Sequence, residues 1–549
     1  MATAGEPSYA SGASTTPLLG ETIGANLHRV AADNPDGEAV VDLHQGVRYT
    51  YAQFDAEVDR LAAALIGAGM DTGDRVGIWA PNRVEWVVAQ YATARAGVIL
   101  VNLNPAYRAH ELGFALRQSG CRLLISVPEF RGASYRDLVE SVRADAPDLE
   151  RVVYLGTDDW PALLNQADAG RSALADREAG LSFDDPINIQ YTSGTTGFPK
   201  GATLTHHNIL NNGFFIGEGC RYTPADRVCI PVPFYHCFGM VLGNLACTTH
   251  GATIVIPAPI FEPASALRAV EVEKCTALYG VPTMFIAELG LPDFGDYDLS
   301  ALRTGIMAGS PCPVEVMRRC IDQMHMTEVT ICYGMTETSP VSAQTAVDDP
   351  LDKRVGTVGR THPHVEVKII DPVDGRIVTR GEPGELCTRG YSVMRGYWNE
   401  PEKTADAIDA ARWMHTGDLA TLDDEGYLNI VGRIKDMIIR GGENVYPREV
   451  EEFLYTHPDI VDVQVIGVPD ARYGEAVMAW VTLREGSSLD AEAVREFCCD
   501  RIAHYKIPRY VHITESFPMT ITGKIQKFKM RDTSIEELGL RAAADIVTA

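Results

Sequence analysis

Residues 37–127 alternate between two hydrophobic periodicities. Continuous apolar runs predict short buried strands here, and these runs are EAVVDL (38–43), RVGIWA (75–80), VILVNL (98–103) and RLLISV (122–127). Between them, residues 50–69 carry apolar side chains at helical spacing after Thr50, which is a suitable N-cap. Residues 82–97 repeat the helical pattern. Alternating strands and helices predict a largely parallel sheet covered by helices.

The pattern of apolar and turn-forming residues changes in the second half of the chain. Strand–helix alternation resumes over residues 251–281, and short strands separated by Gly, Pro and Asp turns then fill residues 356–431, as in an antiparallel β region. A compact α+β segment follows, for which the predicted helices are 447–456 and 490–504 and the predicted strands are 461–468, 475–483 and 510–514. We place a domain boundary near Asp436.

These patterns predict an α/β fold built from two domains and a tail. A chain of 549 residues is too long for one hydrophobic core. We expect a disordered tail at 1–20 and a large N-terminal domain at 21–435, with parallel-sheet αβα layers and a small β region. A small α+β C-terminal domain should occupy residues 436–549.

Composition and charge exclude several functional classes. The formal net charge of −26 disfavours broad nucleic-acid binding, so a polyanionic ligand would need a local basic patch. Residues 501–531 supply such a patch, with seven Lys or Arg against one acidic residue. The first 21 residues do not resemble a signal peptide, and no run reaches the roughly 18 apolar residues of a membrane helix. We therefore expect a cytoplasmic protein without a transmembrane segment.

Twelve cysteines are scattered along the chain without C-x-x-C spacing. This distribution suggests neither a structural zinc site nor a disulfide framework.

One segment has almost nothing apolar to bury. It reads YTSGTTGFPKG (191–201), and its hydroxyl, glycine and lysine residues include Thr192, Ser193, Gly194, Thr195, Thr196, Gly197 and Lys200. Glycines can expose successive N–H groups as a concave anion site, and hydroxyls and a lysine add donors and charge. The spacing is not that of a Walker A loop. From these residues alone, either a phosphate-binding loop or a flexible surface loop is possible.

Five motifs occur in order along the chain, namely TSGTTGFPKG (192–201), YGMTET (333–338), HTGD (415–418), GRIKDMIIRGGENVYP (432–447) and TGKIQK (522–527). Together they resemble those of the adenylate-forming superfamily of acyl-CoA synthetases, adenylation domains and luciferases. The similarity runs from about residue 20 to residue 535. Three further segments, YHCFG, MRGYW and HYKIP, resemble medium-chain fatty acyl-CoA synthetases most closely.

The resemblance implies an ATP-dependent acid–thiol ligase that uses Mg²⁺ and coenzyme A. A carboxylate would attack the α-phosphate of ATP to give acyl-adenylate and pyrophosphate, and the thiol of coenzyme A would then displace AMP. Its partners would be small molecules rather than nucleic acid, and an oligomer is compatible with the sequence. Two alternatives stay open, namely an acyl-AMP ligase that serves a carrier protein and a non-catalytic nucleotide- or acyl-binding protein.

The resemblance also assigns roles in binding Mg·ATP. Glu337 corresponds to the magnesium ligand, Tyr333 would stack on adenine, and Gly334 and Thr336 would lie near the α-phosphate. From the residues alone, Glu337 could instead be a carboxylate at a helix start and Tyr333 an ordinary core residue.

The remaining nucleotide and substrate positions come from three other segments. Asp418 and Arg433 would hold the ribose, and adenine would be lined by the backbone of Gly309, Ser310 and Pro311. His236 corresponds to the position beside the substrate carboxylate, although a histidine among aromatic residues is more often part of a core.

Small residues follow His236 on a predicted helix. Gly239, Gly243 and Ala246 could leave room for an aliphatic chain, or they could allow tight helix packing.

The C-terminal domain is mobile by the same resemblance. Asp436 aligns with the family hinge, and rotation about it would present Lys524 to the substrate carboxylate and the α-phosphate for adenylation. In the second half-reaction Gly441 and Gly442 would replace Lys524 and flank the pantetheine arm.

Overall fold

The structure is a computed structural model. It describes residues 5–192, 199–310, 312–440, 443–470, 472–499, 501–520 and 525–541. The strands of the first half, in chain order, are β1 (Tyr9–Ser11), β2 (Glu38–Asp42), β3 (Val47–Thr50), β4 (Arg75–Trp79), β5 (Ile99–Asn102), β6 (Leu123–Ser126), β7 (Glu129–Phe130), β8 (Ala133–Ser134), β9 (Arg151–Tyr154), β10 (Pro186–Thr192), β11 (Lys200–Thr205), β12 (Arg227–Cys229) and β13 (Thr253–Ile256). The later strands are β14 (Ala277–Gly280), β15 (Thr304–Ala308), β16 (Glu328–Gly334), β17 (Val341–Gln344), β18 (Arg360–Thr361), β19 (Val365–Ile370), β20 (Gly384–Gly390), β21 (Gly396–Tyr397), β22 (Met414–Leu422), β23 (Leu428–Arg433), β24 (Ile438–Arg440), β25 (Glu443–Val445), β26 (Ile460–Asp470), β27 (Gly474–Leu483) and β28 (Tyr510–Ile513).

Seventeen α-helices connect the strands in the described part of the chain. In chain order they are α1 (Ile23–Asp33), α2 (Tyr51–Gly67), α3 (Val84–Ala96), α4 (Ala109–Ser119), α5 (Tyr135–Val142), α6 (Asp159–Leu164), α7 (Ala167–Ala179), α8 (His206–Gly219), α9 (Ala246–Thr249), α10 (Pro263–Glu273), α11 (Pro282–Leu289), α12 (Val314–Gln323), α13 (Leu351–Gly356), α14 (Pro401–Ala407), α15 (Pro447–Tyr455), α16 (Ala491–Cys498) and α17 (Lys527–Glu537). A π-helical segment, Phe238–Leu245, precedes α9. No helix in the described part of the chain is both long enough and apolar enough to cross a membrane.

Two large mixed sheets carry most of the core. The seven-stranded sheet has the order β21-β11-β10-β5-β4-β6-β9, and its strands from β10 to β9 run parallel. The nine-stranded sheet has the order β18-β17-β16-β15-β14-β12-β13-β2-β3, with a parallel centre and antiparallel strands at both edges. The α/β class predicted from the sequence is confirmed.

The predicted start of α2 is confirmed in atomic detail. The Thr50 hydroxyl accepts a hydrogen bond from the Gln53 N–H, and the Gln53 side chain accepts one from the Thr50 N–H. This reciprocal pair satisfies two backbone donors that a helix start would otherwise leave unpaired.

The predicted antiparallel β region is also present, but the expected disordered tail is not. A five-stranded antiparallel sheet has the order β1-β19-β20-β22-β23. Its first strand lies within the stretch expected to be disordered, and the Tyr9 hydroxyl donates to Glu366 over 2.6 Å. Residues 5–20 are ordered because the edge of β19, about 350 residues away, offers unpaired backbone groups. Residues 1–4 lie outside the described part.

The last sheet uses only strands that follow residue 437. It has the order β25-β24-β27-β26, and β28 adds to β27 in parallel. The helix predicted over 490–504 ends at Cys498, because Cys499 has extended backbone angles. Ile502 and Tyr505 still reach the same core as Val494 and Cys498, so the apolar spacing is satisfied without a helix. The boundaries 21–435 and 436–549 stay predictions.

Two histidines are buried in this fold without charge. His206, the first residue of α8, accepts a hydrogen bond from the Ile23 N–H at Nδ1 (3.2 Å), and its Nε2 has no partner among the described residues. Burial lowers the pKa of His206 from 6.5 to about 3, and it does the same for the pKa of His362. Both rings must therefore stay neutral in the folded chain at pH 7.

We expect acid to destabilise the fold through these rings. Between pH 6.5 and pH 3 the unfolded chain binds a proton that the folded chain does not, so the free energy of unfolding falls as pH decreases. Each histidine contributes a slope of about 1.4 kcal/mol per pH unit well below pH 6.5. His206→Asn keeps the acceptor for Ile23 and removes the titration, so urea unfolding should show a shallower slope between pH 6 and pH 5. Equal slopes in His206→Asn and the wild type would contradict the prediction.

Candidate functional site

Residues 191–201, which we call the Gly/hydroxyl segment, have their two ends held together by an antiparallel hairpin. Strands β10 and β11 pair so that Thr192 stands opposite Lys200. The Thr192 hydroxyl lies 3.4 Å from the Lys200 carbonyl oxygen and 3.5 Å from Glu337 Oε1. The predicted binding residues Ser193, Gly194, Thr195, Thr196 and Gly197 lie outside the described residues. The described ends nevertheless bring this segment to Glu337.

Glu337 sits in a buried 3₁₀ turn, Thr336–Thr338, directly after β16. The residue is only 6% exposed, and the Tyr397 hydroxyl donates to its Oε1 over 2.8 Å. Among the described residues no Lys or Arg forms an ion pair with this carboxylate. A buried carboxylate whose described partners are neutral hydroxyls is suited to receive a cation.

Tyr397 is a site residue that the sequence did not reveal. Burial first, and then the neighbouring Glu337 carboxylate, raise the pKa of its phenol, so the hydroxyl remains a donor. The Lys200 ammonium lies 5.0 Å from the centre of its ring. The only sequence signal for Tyr397 was its position in MRGYW (394–398). This segment resembles the family but suggests no role for the tyrosine by itself.

A second cluster joins the nine-stranded sheet to the antiparallel sheet. The Tyr333 hydroxyl donates to Asp418 Oδ2 over 2.7 Å, and Arg433 Nε lies 3.1 Å from Asp418 Oδ1. Asp418 and Arg433 face each other because β22 and β23 pair in that register. Burial, followed by the Asp418 carboxylate, raises the pKa of Tyr333. Tyr333, Asp418 and Arg433, three of the predicted site residues, thus form one group.

The predicted adenine-lining residues lie at the carboxyl ends of adjacent strands. Parallel strands β15 and β16 end side by side, which places Gly309 and Ser310 next to Tyr333 and Gly334. A Cβ atom added at Gly334 would lie 1.7 Å from the Pro340 carbonyl oxygen, so only glycine fits there. Ligands of parallel α/β sheets bind at such strand ends. Pro311 lies outside the described part.

His236 and Thr336 are connected through one buried thiol. Cys237 Sγ lies 3.7 Å from His236 Nδ1 and 3.6 Å from the Thr336 hydroxyl. His236 Nδ1 also accepts a hydrogen bond from the Phe238 N–H (3.1 Å), so the neutral ring carries its proton on Nε2. Burial raises the pKa of Cys237 to about 12, which keeps it a thiol and not a nucleophile.

The small residues after His236 pack tightly. A Cβ atom added at Gly239 would lie 2.4 Å from the Pro233 carbonyl oxygen, and one at Gly243 would lie 2.9 Å from the Ile230 side chain. Ala246 is fully buried as well. Of the two sequence hypotheses for these residues, close packing is the one that the structure favours.

An apolar cavity of about 330 Å³ opens beside Tyr235, the neighbour of His236. It lies where strands of both large sheets end, and its wall includes Pro81, Pro105, Pro233 and Met284. Met519 and Thr520 close one side of the cavity. This places the segment just before TGKIQK (522–527) against the large N-terminal sheets. Lys524, Gly441 and Gly442 lie outside the described residues.

The family of the chain follows from matches along its length. The family model described as "AMP-binding enzyme" matches residues 27–398, and the model "AMP-binding enzyme C-terminal domain" matches residues 449–524. The chain belongs to the AMP-binding enzyme family. This match confirms the resemblance found in the motifs and the prediction that the chain is an enzyme.

Relatives of this AMP-binding enzyme are similar over nearly their whole length. A Bacillus subtilis (strain 168) protein described as "Putative acyl-CoA synthetase YngI" is 49% identical, covering 96% of this chain and 99% of that protein. The Danio rerio "Medium-chain acyl-CoA ligase ACSF2, mitochondrial" is 45% identical, covering 97% of this chain and 91% of that protein.

A solved structure with a similar sequence has the same fold. The crystal structure of ATP-bound MatB from Rhodopseudomonas palustris matches with a TM-score of 0.81 and 32% identity. The match covers 94% of this AMP-binding enzyme and 99% of the MatB chain. The fold class therefore agrees with that of a structure that contains ATP.

Proposed function

We propose that this AMP-binding enzyme, an acyl-CoA synthetase by its family and relatives, activates a medium-chain fatty acid. In the first half-reaction a carboxylate oxygen of the acid bonds to the α-phosphorus of ATP, and pyrophosphate leaves. In the second, the coenzyme A sulfur bonds to the acyl carbon, AMP leaves, and the thiol proton passes to solvent. The observation that carries the proposal is that Thr192, at the start of the Gly/hydroxyl segment, lies 3.5 Å from the buried Glu337 carboxylate.

The second cluster would hold the nucleoside. Asp418 would accept hydrogen bonds from the ribose hydroxyls, and Arg433 would keep its carboxylate oriented through the 3.1 Å contact. Adenine would stack on Tyr333 and lie along the backbone of Gly309 and Ser310. Pro311 completes this set by resemblance to the family.

Thr192, Lys200, Glu337 and Tyr397 form the first cluster, which would hold the phosphates and Mg²⁺. The residues present fit the ion, because Mg²⁺ prefers carboxylate oxygen and Glu337 is buried beside hydroxyl donors. When bound, Mg²⁺ supplies charge neutralisation for the phosphate oxygens. Tyr397 fixes one oxygen of Glu337, and Lys200 adds positive charge next to the segment 192–197. Thr336 and Gly334 would border the α-phosphate.

The acid would enter from the side of His236. Because His236 Nδ1 accepts from the Phe238 N–H, Nε2 is the ring nitrogen that can donate to a carboxylate oxygen. The neighbouring cavity offers an apolar wall to a fatty acyl chain or to the pantetheine arm of coenzyme A. A medium chain length is supported by the names of relatives such as the Danio rerio ligase.

Two stages of the reaction would use two faces of the C-terminal domain. Lys524 would enter the site for adenylation, and rotation about Asp436 would then bring Gly441 and Gly442 to the pantetheine arm. Met519 and Thr520, which precede Lys524, already line the cavity next to Tyr235. A cytoplasmic location stays a prediction.

The experiment that tests the proposal is a substrate panel. Purified enzyme with ATP and Mg²⁺ is given acids from C2 to C18, with and without coenzyme A, and products are identified by mass. We expect acyl-AMP and pyrophosphate from C6–C12 acids alone, and acyl-CoA plus AMP once coenzyme A is added. Acyl-AMP that is never converted by coenzyme A would favour the carrier-protein alternative. If no acid gives a product, the alternative of a non-catalytic nucleotide- or acyl-binding protein would remain.

A further inference from the structure

A cluster of three metal-binding side chains lies outside the proposed nucleotide site. Glu385 and Cys387 project from β20, and His415 projects from β22. One ligand atom from each residue lies within 4.8 Å of the other two. Because these strands pair antiparallel, Cys387 stands opposite His415 although 28 residues separate them along the chain. The sequence pattern without C-x-x-C spacing could not reveal such a cluster.

The distances are close to those of a transition-metal centre. Cys387 Sγ lies 3.6 Å from His415 Nδ1, and Glu385 Oε2 lies 3.0 Å from the same nitrogen. Ligand atoms around tetrahedral Zn²⁺ are about 3.3–3.6 Å apart, given metal–ligand bonds of about 2.0–2.3 Å. The Cys387–His415 distance already matches, the Glu385–His415 pair must widen by a few tenths of an ångström, and the Glu385–Cys387 pair lies within 4.8 Å.

Further groups orient these ligands from outside. Asp409 Oδ2 lies 3.9 Å from His415 Nε2, the nitrogen that points away from the cluster. A carboxylate that accepts from the second ring nitrogen is the usual support of a metal-bound histidine, and an approach of about 1 Å would bring Asp409 to hydrogen-bond distance. The Gly417 N–H donates to Glu385 Oε1 over 3.2 Å and leaves Oε2 facing the cluster.

The burial of the three side chains suits a site with one open coordination position. Cys387 is fully buried against Ile370 and Trp413, whereas the His415 side chain is 31% exposed. A metal ion would therefore be anchored from within and would take its fourth ligand from water. Carboxylate, thiolate and imidazole together match Zn²⁺ among the common divalent ions.

We propose that Glu385, Cys387 and His415 form a binding site for a divalent transition-metal ion of the Zn²⁺ class. Binding replaces the S–H bond of Cys387 with a sulfur–metal bond, and the proton passes to solvent. The site shares no residue with the Glu337 position and needs no nucleotide, although His415 lies three residues before Asp418 on β22.

Cobalt is the probe that tests the site. The full chain, stripped of metal with a chelator, is titrated with Co²⁺ and followed by the near-ultraviolet thiolate-to-cobalt charge-transfer band. We expect the band to saturate at one equivalent and to disappear on adding Zn²⁺. Co²⁺ bound by carboxylates alone, as at Glu337, would give no such band.

Variants assign the band to its residues. Cys387→Ser should abolish it, whereas Cys499→Ser, at the exposed cysteine of the described chain, should preserve it. Asp409→Asn should keep the band but weaken Co²⁺ binding by about 10–100-fold, as expected for an outer carboxylate. Thermal unfolding checks that each variant folds. If Cys387→Ser does not fold, Glu385→Gln replaces it as the test of a direct ligand. It should weaken Co²⁺ binding by at least about 10-fold, the lower end of the effect of an outer carboxylate.

Three results would overturn the proposal. They are a wild-type chain without a thiolate band, a band that survives in Cys387→Ser, and a band that is lost in Cys499→Ser.

Discussion

Lys524→Ala should slow acyl-AMP formation by about 10²–10³-fold and leave the conversion of supplied acyl-AMP to acyl-CoA near the wild-type rate. The first step needs positive charge where a carboxylate meets an α-phosphate, and loss of one such donor typically has this effect. The second step would take place after the C-terminal domain has rotated and placed Gly441 and Gly442 at the site. Pyrophosphate release and thioester formation measure the two steps separately.

Lys529→Ala is the matched control for this prediction. Lys529 belongs to the same basic run, and its described contact is with the exposed Phe528 ring at 6.0 Å. Both half-reactions should therefore proceed normally. Equal losses of both half-reactions in Lys524→Ala would argue against domain alternation, and an unaffected first half-reaction would make Lys524 a surface charge.

Glu337→Gln should lower the rate of acyl-AMP formation by roughly two orders of magnitude and raise the Mg²⁺ concentration needed for half-maximal rate. The amide oxygen can still accept from Tyr397 and Thr192, so the local fold should persist while the negative charge is lost. Stabilisation by a bound metal ion is worth several kcal/mol, and about 1.4 kcal/mol corresponds to a tenfold rate change. Pyrophosphate release against Mg²⁺ concentration gives both quantities.

Two variants separate charge from geometry at this position. Tyr397→Phe removes the 2.8 Å hydrogen bond to Glu337 but keeps its charge, so its effect should be smaller than that of Glu337→Gln. Glu402→Gln, at an exposed carboxylate on α14, should change neither the rate nor the Mg²⁺ requirement. A Glu337→Gln enzyme with normal Mg²⁺ dependence would remove this residue from the metal site.

Local sequence signals were sufficient to predict those parts of the fold that depend on residues close together along the chain. Thr50 and Gln53 form their cap within four residues, and the apolar runs became β4, β5 and β6 because both faces of a parallel sheet are buried. The motifs also contain Tyr333, Asp418 and Arg433, which the structure places in one group.

Other features depend on partners that are distant in sequence. Tyr397 became a site residue only because β21 pairs with β11 and thereby faces Glu337. The end of α16 at Cys498 could not be predicted, since Ile502 has the right helical spacing yet reaches the same core from a non-helical segment. The assignments of Ser193–Gly197 and Lys524 rest on the resemblance alone.

The pairing of Tyr9–Ser11 with β19 has a consequence for handling the protein. Without those residues, Val365–Ile370 would present a free row of backbone donors and acceptors on one side. Exposed edges of this kind invite strands from other molecules and so lead to aggregation. The short N-terminal strand therefore covers this edge, and we expect a variant that lacks residues 9–11 to aggregate more readily than the full chain.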